Sequence, residues 1–156
     1  MKKRIIGLIP ARMGSSRFPG KPIVNICGKP MIYWVYNQAR QVEELDEIYV
    51  VTEDEVIAEK CKQFNIPYWI EKQKCAVAAE RLSYASRKIE GDLYLNIQGD
   101  EPLIDPRAIK QIIDAMLADD NIYYLGLRSQ IKTRDEFMDR NVVKAVIDKN
   151  EYAMYF

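Results

Sequence analysis

Short β-branched runs alternate along the whole chain with segments whose apolar residues recur every three or four positions. The runs are RIIGLI (4–9), EIYVV (47–51), PYWI (67–70), DLYLNI (92–97), IYYLGL (122–127) and VVKAVI (142–147), six candidate strands. Each is a short apolar run of the kind that fills a buried strand. Between them, Met31, Trp34, Val35, Ala39, Val42 and Leu45 line one face of a helix that Pro30 can open. Further helical periods run about 54 to 64, 78 to 90 and 106 to 118. Strands alternating with helices predict an α/β fold, a mostly parallel sheet with helices on both faces.

No repeat, low-complexity tract or linker composition breaks this alternation, so residues 1–156 read as one α/β domain. The closing EYAMYF reads as an apolar strand after a turn at DKNE, and a strand that ends a chain leaves an edge unpaired. We therefore expect further chain to complete the sheet or the site. Tyr33, Trp34, Tyr36, Tyr68 and Trp69 read as core and interface packing.

In open α/β sheets ligands bind beyond the carboxyl ends of the strands, so the segments that follow strands carry the candidate chemistry. After the first strand comes LIPARMGSSRFPGKPI (8–23), in which Arg12, Arg17 and Lys21 surround Ser15 and Ser16 between Gly14 and Gly20. Bare backbone and several cations together suit an anion, and a polyphosphate above all. Neither of the usual phosphate motifs is present. Gly14 and Gly20 enclose five residues and Lys21 precedes Pro22, which is no P-loop, and G-x-G-x-x-G occurs nowhere in the chain.

A second constellation, NIQGDEPLID, ends a strand in Gln98, Gly99, Asp100, Glu101 and Pro102. Carboxylates at such a place suit a Mg²⁺ ion that keeps much of its water and bridges to phosphates. TEDE (52–55) follows another strand, and there Thr52 or Asp54 as an N-cap, with acids favouring the helix dipole, is the simpler reading. AAERLSYASRKIE (78–90) reads first as an amphipathic helix, and Glu80 and Arg81 near its start could face the cleft.

Composition narrows the chemistry. The chain has no histidine, which removes Ser-His and Cys-His nucleophile pairs and His-ligated zinc, and leaves carboxylates, cations and a hard metal. Lys and Arg number 23 against 23 Asp and Glu, so no global field draws nucleic acid and any anion site must be local. Cys27, Cys61 and Cys75 show no C-x-x-C spacing and read as reduced, small buried hydrophobes. With neither a membrane-length apolar stretch nor a signal-peptide pattern, the chain reads as soluble and cytoplasmic, with no membrane partner.

Taken together, IPARMGSSRFPGKPIVNICGKPMIYWVYNQA, QGDEPLIDP, NVVKAV and the closing YAMYF resemble the CMP-KDO synthetases (3-deoxy-manno-octulosonate cytidylyltransferases), which are related to the CMP-acylneuraminate synthetases. The similarity runs from residue 4 to 156. It implies a nucleotide-diphospho-sugar-transferase-like fold, CTP and an acidic sugar as substrates, Mg²⁺ as cofactor, and a place in lipopolysaccharide biosynthesis. It also implies a homodimer in the full-length form, whose C-terminal sugar-binding and dimerisation segment lies beyond this chain.

By motif, Ala11 and Arg12 would meet the nucleotide, Ser15, Ser16 and Lys21 the phosphates, Gln98 and Gly99 the nucleotide side, and Asp100 the metal. Arg12, Lys21 and Asp100 would carry the catalysis, with Glu80 and Arg81 also at the nucleotide. Val77, Ala78 and Ala79 stand where the family has small polar residues before Glu80 and Arg81. Three alternatives remain at this level: a CMP-nonulosonate synthetase acting on sialic or legionaminic acid, a catalytically impaired nucleotide-binding or assembly module, and a metal-dependent glycosyltransferase.

Overall fold

In the computed structural model, which describes residues 2–14, 18–73, 75 and 77–156, the strand nearest the N-terminus is also a central one. β1 (Ile5–Pro10) is buried at all six positions, because parallel strands on both sides and helices on both faces leave no side of it wet. β4 (Glu47–Thr52) and β6 (Leu93–Asn96) flank it in parallel, and β5 (Tyr68–Ile70) adds to β4, giving the order β5-β4-β1-β6.

Alternation along the strands divides the core. Ile5, Ile9, Ile48, Val50 and Leu95 face one side, where α1 (Met31–Ala39), α2 (Glu55–Gln63) and α4 (Pro106–Ala118) bury Ile32, Val35, Ile57, Ile109 and Ile113. Ile6, Leu8 and Val51 face the other side, against Leu82, Ala85 and Ile89 from α3 (Ala78–Ser86) and the turn after it. The α/β architecture with helices on both faces is therefore the one the periodicity predicts.

Between β1 and α1 a two-stranded ribbon, β2 (Asn25–Ile26) and β3 (Lys29–Pro30), turns at Cys27 and Gly28, whose φ angles of 49° and 83° fit the tight turns that join antiparallel strands. Pro30 sits one residue before α1, and Val42 and Leu45 reach the core from the turns that follow it.

The fold differs from expectation towards its C-terminal end. IYYLGL forms no strand: Tyr123 is 91% exposed and Tyr124 89%, while Ile122 and Leu125 are half-buried. VVKAVI contributes only β7 (Val146–Ile147), which pairs with β8 (Ala153–Tyr155) in a separate antiparallel ribbon. A fifth helix, α5 (Arg134–Met138), starts at a capping box in which Thr133 Oγ1 accepts from Glu136 N. β6 is thus an edge of the main sheet, and a groove of about 670 Å³ runs along it between α3, α4 and residues 123–127.

Of the cysteines only Cys61 is buried, and burial pushes its thiol up to about 12; Cys27 is exposed in the ribbon turn and Cys75 is half-buried. The expectation of three buried thiols is corrected. Cys27 sits where the tight turn must project into solvent. Among the described residues no helix is long and apolar enough to cross a membrane.

Candidate active site

The polypeptide leaves β1 at Pro10 and immediately forms one wall of a cavity of about 270 Å³. Pro10, Ala11 and Arg12 come from the strand end, Phe18, Lys21 and Pro22 from the loop, and Met31 from the start of α1. Ala78 and Arg81 approach from the first turn of α3, and Gln98, Gly99 and Asp100 from the turn after β6. This is the carboxyl end of the sheet, where strand direction puts backbone ends and helix starts together.

Each wall is held by local bonds. Ala11 N donates to Val51 O at 3.0 Å and Ile97 N to Leu8 O at 2.9 Å, carrying the sheet's pairing to the cavity rim. The loop closes where Gly20 N donates to Met13 O at 3.1 Å. Gly20, with φ 72°, then directs the chain into a single 3-10 turn, Lys21–Ile23. Gly99 is packed so tightly that a Cβ there would lie 2.5 Å from Pro10 O. A glycine is required for the turn after β6 to sit against β1.

The charges are unevenly distributed. Lys21 Nζ is 2.5 Å from Asp100 Oδ2, with both side chains partly exposed, so the loop and the turn after β6 meet through an ion pair. In water such a pair is worth about 0–1 kcal/mol and yields readily to a better partner. Arg81 is different. Its side chain is 1% exposed, Nη2 donates to Glu53 Oε1 at 2.8 Å, and Nε finds no partner among the described residues. A buried guanidinium with an unmet donor at a cavity suits an anionic ligand. Arg12, Lys21 and Arg81 face one carboxylate, Asp100, among the described lining residues, so the cavity is net cationic.

Seven of the ten expected nucleotide-binding and catalytic positions thus fall together: Ala11, Arg12, Lys21, Arg81, Gln98, Gly99 and Asp100. Ser15 and Ser16 lie outside the described residues. Glu80 is exposed at the start of α3, its Oε2 3.5 Å from Val77 N, and does not line the cavity. Phe18, Pro22 and Met31 line it without having been foreseen, since an apolar wall leaves no mark in a pattern of charges.

TEDE also departs from its simple reading. Asp54 occupies the N-cap position of α2, yet its side chain makes no capping bond there; Oδ2 accepts from Met13 N at 2.7 Å. Its neighbour Glu53 holds Arg81.

For a divalent metal, the described residues offer no group of three or more His, Cys, Asp or Glu side chains. Asp100 alone suits a cation that arrives with phosphate oxygens and water as its other ligands, and does not make a self-sufficient protein cage.

The cytidylyltransferase family profile matches residues 6–156. The chain belongs to the cytidylyltransferase family. The chain is 40% identical over 157 residues to the mitochondrial 3-deoxy-manno-octulosonate cytidylyltransferase of Arabidopsis thaliana, covering 99% of this chain and 54% of the relative. It is 39% identical over 153 residues to the 3-deoxy-manno-octulosonate cytidylyltransferase of Trichlorobacter lovleyi, covering 98% of this chain and 61% of the relative. Its fold matches a CMP:2-keto-3-deoxy-manno-octonic acid synthetase solved in complex with CTP, with TM-score 0.86 and 32% identity over 97% of this chain and 63% of that one. The chain therefore spans between half and two thirds of the length of these relatives.

Proposed function

We propose that the chain is the nucleotide-binding part of a cytidylyltransferase that activates 3-deoxy-manno-octulosonate with CTP, giving the CMP-sugar and pyrophosphate. The observation that carries this reading is the net cationic cavity at the strand ends, with Arg12, Lys21, Arg81 and Asp100 around it. The 3-deoxy-manno-octulosonate cytidylyltransferase names of the relatives support the choice of sugar, and the CTP complex of the similar structure supports the nucleotide.

In this reading the anomeric hydroxyl oxygen of the sugar attacks the α-phosphorus of CTP and gives up its proton to water, the bond from that phosphorus to the α,β-bridging oxygen breaks, and pyrophosphate leaves with that oxygen. Ala11, Gln98 and Gly99 form the wall for the nucleoside, and Ser15, Ser16 and Lys21 hold the phosphates. Lys21 exchanges Asp100 for the outer phosphates, and Arg12 and Arg81 oppose the charge that grows as pyrophosphate departs. Asp100, once released by Lys21, would hold Mg²⁺. When bound, that ion supplies neutralisation of charge at the phosphate oxygens. The chemistry uses no covalent intermediate and no histidine. Cytoplasmic location, homodimerisation of the full-length form and a role in lipopolysaccharide biosynthesis belong to the same proposal.

A second reading, nucleotide binding without turnover, is favoured by one observation. Ala78 lines the cavity where the resemblance expects a small polar residue, so that position offers no hydrogen-bonding side chain.

Calorimetric titration of Lys21→Ala with CTP and with CMP, in Mg²⁺, tests the assignment. Triphosphate binding falls at least tenfold, about 1.4 kcal/mol, while CMP binding changes little. Equal losses for both ligands would show that Lys21 does not serve the outer phosphates.

A further inference from the structure

Asp54 stands where helix α2 needs a cap, and its carboxylate is used elsewhere. An Asp at the N-cap ordinarily accepts from the second or third helical amide, which is worth roughly 1 kcal/mol. Here α2 has no such bond, and Asp54 Oδ2 accepts from the backbone of Met13, 41 positions earlier in the chain, at 2.7 Å. A charged acceptor on a backbone amide is among the stronger hydrogen bonds available.

Both ends of that bond are anchored to something that matters. On one side, Asp54 N donates to Thr52 Oγ1 at 3.0 Å, and Thr52 is fully buried at the end of β4, where its carbonyl accepts from Glu71 N at 2.8 Å. On the other, Met13 O accepts from Gly20 N, which closes the loop one residue before Lys21. A continuous series of hydrogen bonds thus runs from the central sheet through Asp54 to the neck of the cationic loop. Glu53, the residue before, fixes Arg81 on a different wall. Asp54 itself does not line the cavity.

We propose that Asp54 is a positioning residue, whose carboxylate tethers the Met13 amide and so sets the place of the loop that carries Lys21. The inference rests on the nucleotide reading of the cavity for its functional consequence, while the tether itself is read from the Met13 amide.

Two substitutions separate tether from cap and from ligand. Asp54→Asn keeps an acceptor of the same length. Asp54→Ser remains a good N-cap but is one bond too short to reach Met13, so the helix start is retained while the tether is lost. The whole chain and both variants are titrated with Mg²⁺ and CTP, and amide hydrogen exchange is followed at Met13. Asp54→Ser should weaken CTP binding roughly ten- to a hundredfold and expose the Met13 amide to fast exchange, and Asp54→Asn should largely restore both.

Protected Met13 exchange in Asp54→Ser overturns the tether. Unchanged CTP affinity in that variant, against a wild type that binds, overturns its role in positioning. Asn failing as badly as Ser in binding, with Met13 still protected, shows that the charge acts directly and overturns it too. If the wild type does not bind CTP, the nucleotide reading fails and Met13 exchange still decides the tether.

Discussion

At the scale of single residues, the site is a balance between a cation and a carboxylate that hold one another until something better arrives. Lys21 and Asp100 are paired at 2.5 Å, and both are partly exposed, so the pair adds little to stability. A triphosphate alone must compete with Asp100 for Lys21, whereas a triphosphate with Mg²⁺ gives each a partner. Asp100→Asn should therefore abolish the Mg²⁺ dependence of CTP binding and, by removing the competitor, strengthen binding of metal-free CTP, both read by calorimetry in EDTA and in Mg²⁺. Retained Mg²⁺ dependence in that variant places the metal elsewhere. Both residues were legible in the sequence, because charges after apolar runs advertise themselves. Asp54 was not: its residue type fits a helix cap, and only the fold brings Met13 within 2.7 Å of it.

At the scale of elements, the ends of β1 and β6 make the cavity by lying unusually close together. Gly99 has no room for a Cβ, because Pro10 O would be 2.5 Å away and a backbone oxygen cannot swing aside as a side chain can. Gly99→Ala should push the turn bearing Gln98 and Asp100 away from β1, lowering the melting temperature by several degrees, the equivalent of about 1–3 kcal/mol, and weakening CTP binding. A variant that melts and binds as the wild type would show that this close approach does not shape the site. The four strands of the main sheet and four helices were legible, since each pairs a clear period with a layer to bury against. IYYLGL has the residues of a strand but pairs with none, with Tyr123 and Tyr124 almost fully exposed, so composition there misleads about structure. α5 is short and wholly exposed, and its signal lay in the Thr133 and Glu136 cap, not in any apolar period.

For the molecule as a whole, a parallel sheet with unlike charges gathered at one end and an open edge at β6 accounts for a chain whose net charge is zero and whose chemistry is nevertheless local. Family membership follows from the match over residues 6–156; the nucleotide and its partners remain this account's proposal. The central claim is that the cavity takes CTP with Mg²⁺, and a ligand that binds only the folded state raises its stability by mass action. The most direct measurement is the melting temperature of this chain titrated with CTP, UTP, ATP and GTP, each with and without Mg²⁺. A concentration-dependent rise with CTP is expected, larger than with the other nucleotides and larger with Mg²⁺ than without; no rise with any nucleotide, or the same rise with all four, would mean that the cavity is not a CTP site.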